Sequence, residues 1–403
     1  MVKKLLCGVI ALLLMIFVSG CQGNYKDSKL TFLPSGICID TKEAVDREKE
    51  NEDKNKEKAD DDREEQSSPD PARSAGIKRQ KEGREPFIFT VIGPTLAEKA
   101  KETYQIYTQQ AYTMEQGLQA VEAATSRNVV TSHVRTLTLG SELSSKGLKD
   151  SLFYFYRNPD IGSDTLLTVA YGTTASALIK QLPVDDIGMS SFLFNFFEGA
   201  NNNLLVEEVN MTSFFKQINN FPYTGFIPTF SLADKRPYWS GLALFQEDRM
   251  VAHLNRHDAQ LLALVNNVNR EAYLPVMEGK EHAVVLIKGK TRIKPSYVKD
   301  NWHFNIKTEI KGELLFPGKK AGYLSDAEIN KLEKRIAVNI KQQIDKMIFL
   351  IQKKYKVDAL GLGALAYRED WRKMKRESWQ EDFPKAEIKT EVSFNVNKIG
   401  EIN

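Results

Sequence analysis

The chain has 403 residues, of which 42% are hydrophobic and 27% charged, a balance typical of globular proteins with a buried core. At about 100–200 residues per domain, this length predicts two or three domains. The 56 basic and 53 acidic residues leave a net charge of +3, which is too even to indicate a nucleic-acid partner. The three cysteines include no CxxC pair, which excludes a disulfide scaffold and a zinc knuckle.

The amino terminus has the pattern of an export signal. A short basic start precedes an uncharged apolar run, residues 5–18, and the sequence Ser-Gly-Cys21 follows it. The run is shorter than the about 20 residues needed to span a bilayer, but it fits the apolar region of a signal peptide. Small residues before a cysteine resemble the bacterial lipobox, so we predict a signal peptide over 1–20 and lipidation at Cys21. The alternative is an ordinary signal peptide followed by an incidental cysteine.

Strands and helices alternate along the first half of the mature chain. We expect strands at 30–40, 86–92, 133–139 and 166–170, and helices after a capping box at Thr113, at 147–157 and at 175–179. This alternation predicts an N-terminal α/β domain made of residues 21–41 and 86–185. Cys38 lies among apolar residues of the first strand, which favours a buried and chemically inert thiol.

Residues 42–85 differ in kind from their neighbours. Of these 44 residues, 27 are charged and none is aromatic. Such a segment buries too little apolar surface to offset the entropy of ordering, so we predict a disordered insertion. The alternative is an exposed helix over 46–65, supported by charge pairs four residues apart.

The second half begins with a stretch rich in proline and turn residues. We predict that residues 186–236 form a middle segment and connection, and that residues 237–403 form a C-terminal α/β domain, with a further division near 290 as an alternative. Its expected elements are a hairpin at 239–245 and 249–252, a helix capped by Asn255, and strands at 282–287, 292–297, 303–310 and 386–396.

The longest predicted helix begins at the capping box of Ser325 and Glu328 and ends near Tyr355. Apolar residues recur along it every three or four positions, which indicates one buried face. The opposite face carries Lys331, Lys334, Arg335, Lys341, Lys353 and Lys354. We interpret this basic face as solvated, and contact with lipid headgroups is the alternative. Together the elements predict a mixed α/β or α+β fold with several domains, mostly antiparallel sheets, packed helices and one long helix in the C-terminal half.

The sequence contains short strings that resemble catalytic or cofactor-binding motifs, but each lacks the structural setting or the further residues that the chemistry needs. Residues 361–366 fit G-x-G-x-x-A, but they follow a helix where a dinucleotide site requires a strand. His253 and His257 have a spacing that could share a metal, yet no Glu or Cys completes a site. No G-x-S-x-G nucleophile elbow occurs. We therefore predict no catalytic residue, no cofactor and no metal.

Several segments in order resemble the Ger(x)C family, the C-subunit lipoproteins of spore germinant receptors. The ending from Asp358 through Gly361 and Gly363 to Trp371 and Trp379 is similar to the family pattern D-x-x-G-x-G … W … W-x-x-x-F-P. The other similar segments are the Cys21 lipobox with 36–40, the helix–strand–helix segment from 127 to 157, and the hairpin over 240–251.

The resemblance implies a non-enzymatic protein with three mixed α/β domains. It also implies a place in the inner spore membrane, on its extracytoplasmic face, beside multi-pass A and B subunits that respond with it to small germinants. Binding of a germinant by this subunit itself stays an open question. The alternative function is a lipid-anchored ligand-binding protein of the transport type, a class that usually has two doubly wound lobes.

Trp371 and Trp379 lie eight residues apart, close to two helical turns, so a helix would place both indoles near one face. We expect that face to pack on the long helix as a structural clamp, beside Gly361 and Gly363. The alternative is an exposed aromatic patch that contacts a receptor partner.

Overall fold

The structure is a computed structural model that describes residues 31–60, 85–95, 104–181, 189–198, 206–268, 272–278, 281–317 and 325–402. The predicted signal peptide and Cys21 lie outside these residues.

Fourteen strands occur in the described chain. They are β1 (Thr31–Phe32), β2 (Gly36–Thr41), β3 (Phe87–Pro94), β4 (Tyr104–Ala111), β5 (Asn128–Val129), β6 (Thr136–Gly140), β7 (Leu166–Ala170), β8 (Thr224–Ala233), β9 (Arg236–Gln246), β10 (Arg249–Asn255), β11 (Ala272–Glu278), β12 (Glu281–Val298), β13 (Asn301–Pro317) and β14 (Glu387–Ile402).

The α-helices lie between and after these strands. They are α1 (Lys42–Asp60), α2 (Met114–Thr125), α3 (Ser141–Lys146), α4 (Lys149–Arg157), α5 (Ala175–Lys180), α6 (Met189–Glu198), α7 (Met211–Asn219), α8 (Arg256–Val265), α9 (Asp326–Phe349), α10 (Leu362–Glu369) and α11 (Trp379–Asp382). No helix of the described chain has both the length and the apolar composition needed to cross a bilayer.

The first sheet has eight strands in the order β10-β9-β8-β7-β6-β2-β3-β4. Its centre, from β8 to β2, is parallel, and both ends are antiparallel. The central strands β6 and β7 are buried along their whole length, as expected for parallel strands covered on both faces. The sheet therefore forms the core of the N-terminal half.

This sheet does not stop at the boundary predicted between residues 236 and 237. Strand β8 lies in the predicted connection and β9 begins at Arg236, yet both hydrogen-bond into the sheet. Pro228 belongs to the proline-rich stretch that predicts a connection, but it lies within β8, beside a register shift between Thr229 and Phe230. The predicted middle segment and the predicted C-terminal domain therefore both contribute strands to the first sheet, and a proline near a register irregularity is compatible with a strand.

The second sheet has four strands in the order β11-β12-β13-β14. Strands β11, β12 and β13 are antiparallel neighbours, and β14 pairs parallel to β13. We predicted two strands at 282–287 and 292–297, but β12 runs unbroken through Gly289. The mixture of helices with mostly antiparallel sheets confirms the predicted fold class.

The long helix is confirmed. The hydroxyl of Ser325 accepts a hydrogen bond from the Glu328 backbone, and the Glu328 side chain accepts one in return from the Ser325 backbone. Ile336, Ile340 and Ile344 of α9 are fully buried. They belong to the same core as the inward side chains of the second sheet, so α9 covers the sheet's inner face. A π-helical segment, Leu350–Tyr355, continues α9.

Helix α1 corrects the prediction of disorder for the start of the 42–85 insertion. Residues 42–60 are helical, as the alternative of an exposed helix proposed for part of them, and residues 61–84 lie outside the described chain. The Glu48 carboxylate accepts hydrogen bonds from the Thr173 hydroxyl at 2.9 Å and from the backbone and hydroxyl of Thr174. Arg47 also pairs with Glu142. Polar contacts to the body, rather than apolar burial, hold this helix. The charged composition of the segment therefore did not predict an ordered helix.

We expect Glu48→Ala to lower the free energy of unfolding by about 1–2 kcal/mol, because Thr174 caps α5 and would lose a charged hydrogen-bond partner. Chemical denaturation of the purified protein measures the change. Glu50→Ala is the matched control on the exposed side of α1 and should shift stability by less than about 0.5 kcal/mol. Equal values for the two variants would show that α1 does not dock on the body.

Candidate functional site

The carboxyl-terminal motif folds around one buried carboxylate. Asp358 is only 3% exposed. Its Oδ1 atom accepts the backbone N–H of Leu362 at 2.9 Å, and its Oδ2 atom accepts the backbone N–H of Gly363 at 2.7 Å. Because these two residues begin α10, Asp358 satisfies donors that a helix start leaves unpaired. The Trp379 indole N–H donates to Oδ2 as well, at 2.9 Å.

The two glycines of the motif have separate geometric roles. Gly361 precedes α10 with φ of +67°, in the left-handed region that glycine adopts without strain. Gly363 faces the Trp379 indole, and a Cβ atom there would lie 2.5 Å from Nε1. The absence of a side chain at Gly363 is therefore what lets the indole reach Asp358.

Trp379 lies in the core. Its ring meets Phe304 of β13 edge to face at a centroid distance of 6.2 Å, and Phe383 at 5.8 Å. The Gln352 amide, from the π-helical segment, donates to the carbonyls of Phe383 and Ala386 at 2.9 and 2.8 Å. The motif thus joins the end of the long helix, β13 and the start of β14.

Trp371 has a different place. Helix α10 ends at Glu369, and residues 370–378 form turns, so the prediction that Trp371 and Trp379 share a helical face is wrong. Trp371 is 63% exposed, with the Arg372 guanidinium 5.3 Å from its ring centre. Trp379 has the burial that the clamp hypothesis requires, whereas Trp371 has the exposure that the partner-contact hypothesis requires.

Burial raises the pKa of Asp358, and the hydrogen bonds from Gly363, Leu362 and Trp379 oppose that rise. A raised folded-state pKa means that this group favours folding most at low pH. Its contribution is lost as the pH rises through the folded-state pKa.

Asp40 repeats the arrangement in the N-terminal half. It is fully buried at the end of β2, and its two carboxylate oxygens accept the backbone N–H groups of Ala175 and Ser176 at 2.8 and 2.9 Å. These residues begin α5, so this aspartate also holds the start of a helix that is distant in sequence. Burial raises its pKa too. The sequence motifs contained both aspartates, but nothing in their spacing identified their partners.

A cleft of about 660 Å³ lies beside the motif, a volume within the range of small-molecule sites. Thr224 of β8 donates to the Asp358 carbonyl at 2.9 Å, and the Asn266 amide donates to the Ala359 carbonyl at 3.1 Å. The cleft therefore lies where the motif turn meets the first sheet and α8. Its lining includes Glu207, Lys216, Gln217, Asn220, Phe221, Phe226 and Asn267.

The remaining residues singled out from the sequence have structural surroundings. His253 lies in β10 and stacks on Tyr171 at 3.7 Å, with its Nε2 atom 3.0 Å from the Thr229 hydroxyl, while His257 lies in α8. No group of metal-ligating side chains occurs within the described ranges. Cys38 is fully buried in β2, and burial raises the pKa of its thiol well above the usual value.

Models of spore germination families match most of the chain. The family described as "Spore germination protein N-terminal domain" matches residues 62–232, and that described as "Spore germination B3/ GerAC like, C-terminal" matches residues 240–400. The chain belongs to the Ger(x)C family. The border between the two Ger(x)C models falls in the hairpin of β8 and β9, although the first sheet continues across it.

Two individual proteins illustrate the relationship. Spore germination protein GerQC from Bacillus cereus is 23% identical over 300 residues, which cover 73% of this chain and 83% of the relative. The crystal structure of the GerBC protein has a TM-score of 0.55 and 16% identity, covering 80% of this chain and 100% of that chain. The first comparison supports membership of the Ger(x)C family, and the second shows a shared fold.

We expect Trp379→Ala to lower the free energy of unfolding by about 3–5 kcal/mol, as is typical when a buried Trp is truncated. The change would also remove one hydrogen bond from the buried Asp358. Trp371→Ala is the matched control from the same motif and should change stability by less than about 0.5 kcal/mol, because its ring is exposed. Thermal or chemical unfolding of both variants measures this, and similar losses in the two would contradict the assignment.

His253 predicts a pH dependence of stability. Burial lowers its pKa from 6.5 to about 4, so between these values the unfolded chain binds more protons than the folded one. Stability should therefore fall as the pH drops from neutral through 6.5 toward 4. Over this range, the free energy of unfolding should change less steeply with pH for His253→Gln than for the unmodified protein. The same substitution at the partly exposed His257 is the control, and a slope altered only by that variant would contradict the prediction.

Proposed function

We propose that this chain is a non-enzymatic, lipid-anchored subunit of a nutrient germinant receptor. It acts at the inner spore membrane, on the extracytoplasmic face, and is required for germination in response to small-molecule germinants. The observation that carries the proposal is the match to spore germination families along both 62–232 and 240–400. A relative named as a spore germination protein aligns with 73% of the chain and supports the same assignment.

The proposed anchor is an acylated Cys21. It stands ten residues before Thr31, where the described body begins. Extended backbone spans at most about 3.6 Å per residue, so the tether reaches no more than roughly 35 Å. An anchored body therefore stays close to the membrane in which multi-pass A and B subunits would be its partners.

The non-enzymatic assignment draws support from the chemistry of the family motifs. The buried carboxylates of Asp40 and Asp358 accept backbone N–H groups at the starts of α5 and α10. These interactions use the carboxylates as structural acceptors and hold them away from solvent. The conspicuous polar residues of the motifs thus serve the fold, and the surface is left to make contacts with partners.

The alternative function, a ligand-binding lipoprotein of the transport type, would use a cleft such as the one beside Gly361. Its usual architecture of two doubly wound lobes differs from the second sheet, in which three of the four strands are antiparallel neighbours. Neighbouring genes for a multi-pass membrane protein would favour the receptor, whereas genes for an ABC transporter would favour the alternative.

We expect Cys21→Ala to abolish metabolic labelling with palmitate and to abolish nutrient-triggered germination of the spores. The expected cause is loss of the anchor. Cys38→Ala is the matched control and should keep the label, since the Cys38 thiol is buried. Spores of both variants should still germinate when a receptor-independent trigger is used. Equal labelling of the two variants would refute the anchor, and normal nutrient germination after deletion of the gene would refute the receptor role.

A further inference from the structure

The outer face of the second sheet carries more basic than acidic side chains, with the basic ones concentrated on β12 and β13. Strand β12 presents four basic residues in succession at alternate positions, namely Lys288, Lys290, Arg292 and Lys294. All four are exposed, and their neighbours toward the core, such as Ile287 and Thr291, are buried. Because side chains alternate between the two faces of a strand, these four lie on one side. Strand β13 adds Lys307 and Lys311 to the same face. Strand β14 adds Glu387, Lys389 and Glu391 to this face, and Glu391 lies opposite Lys307.

The pairing of β12 with β13 places like charges opposite each other. Lys288 pairs with Lys311, and Arg292 pairs with Lys307. Directly opposed like charges destabilise an antiparallel pair. Glu309 reduces the repulsion between Arg292 and Lys307, because its carboxylate lies 3.7 Å from Arg292 and 3.6 Å from Lys307. Within the described chain, no carboxylate forms an ion pair with Lys288, Lys290, Lys294 or Lys311. The fold therefore retains a cluster of mutually repelling charges on the surface of β12 and β13.

The charge cluster belongs to a basic region of the molecule. Residues 281–403 contain 25 Lys or Arg and 17 Asp or Glu, although the whole chain is nearly balanced. Helix α9 lies on the opposite side of the second sheet, so the basic residues of α9 do not contribute to the outer face. The two cationic surfaces can therefore be tested separately.

We propose that the outer face of β12 and β13 docks on the anionic phospholipid headgroups of the membrane. This inference rests on the proposed lipid anchor, which would hold the body within reach of the bilayer. Clustered lysines near a membrane surface attract acidic lipids, and stable attachment commonly combines an acyl chain with a polybasic surface. A tether raises the local concentration of the membrane surface, so modest charge complementarity is sufficient.

A protein partner fits this surface less well. Lysine is depleted at protein–protein interfaces, whose centres are usually aromatic or apolar. Here Lys290 lies beside Glu309 at the centre, and among the side chains whose burial the structure describes, the exposed apolar residues of this face are Tyr273 and Val298, toward its margins. A charged face whose described centre has no apolar anchor matches a headgroup layer.

The test uses the full-length lipidated protein in vesicles of phosphatidylcholine alone or of equal phosphatidylcholine and phosphatidylglycerol. Acetylation rates of individual lysines are measured by mass spectrometry. We expect phosphatidylglycerol to slow acetylation of Lys288, Lys290, Lys294 and Lys311 by about fivefold or more, while Lys331 and Lys334 on α9 keep their rates. Salt at 1 M shortens the Debye screening length to about 3 Å and should therefore abolish the protection.

Two matched variants supply the control. Substitution of Lys288, Lys290 and Lys294 by Gln should remove the protection of Lys311, whereas substitution of Lys331, Lys334 and Lys346 by Gln, with the same change of charge, should keep it. The first variant should melt at the same temperature as the unmodified protein or higher, because it removes the repulsion between Lys288 and Lys311, and the second should melt like the unmodified protein. Absence of protection, equal protection of both faces, or equal protection in neutral vesicles would overturn the proposal. Protection that appears only in native membranes would overturn it in favour of an acidic protein partner.

Flotation separates this proposal from the anchor. Flotation with neutral vesicles reports the acyl chains alone, so its loss would count against lipidation at Cys21. In that case, salt-sensitive flotation with the anionic vesicles still tests the cationic face, and its absence would overturn the proposal.

Discussion

The C-terminal half depends on the burial of one charge. Moving a carboxylate out of water is strongly unfavourable unless hydrogen bonds replace its solvation. At Asp358, two backbone N–H groups of α10 and the indole of Trp379 offset part of this cost, although burial still raises the pKa of the carboxyl. The two backbone donors are adjacent at the start of α10 and the indole comes from α11, so all three hydrogen bonds form only when both helices have reached their final positions. The Asp358 carboxylate thus favours one specific arrangement of the segment that follows the long helix.

The same device in the N-terminal half links β2 to α5 through Asp40. The two halves then meet at the turn that follows Asp358, where Thr224 and Asn266 donate to its carbonyls. A structural change at the motif would therefore alter the contacts of β8 in the first sheet as well as those of the second sheet. This gives the family motif a role in the relative placement of the two sheets, in addition to its local role.

Periodic patterns in the sequence predicted the long helix, the hairpin of β9 and β10 and most strands, because an element with one buried face has apolar residues at regular spacing. The patterns failed where polar contacts between distant residues decide the structure. Helix α1 is held through Glu48, whose partners at Thr173 and Thr174 lie over 120 positions away. Trp371 and Trp379 differ in burial because the helix ends at Glu369, and the partner of the indole, Asp358, cannot be inferred from spacing. In the candidate site, the sequence thus predicted the residues but not their contacts.

The position of β14 has a consequence for the order of folding. Helix α9 packs against β14, and β14 joins the sheet beside β13, which ends 70 residues earlier in the chain. The buried stripe of Ile336, Ile340 and Ile344 remains incompletely covered until residues 387–402 are delivered. Parallel pairing at long sequence separation forms slowly, and exposed apolar faces aggregate. In the C-terminal half, docking of β14 is therefore the contact that closes the apolar core between α9 and the second sheet.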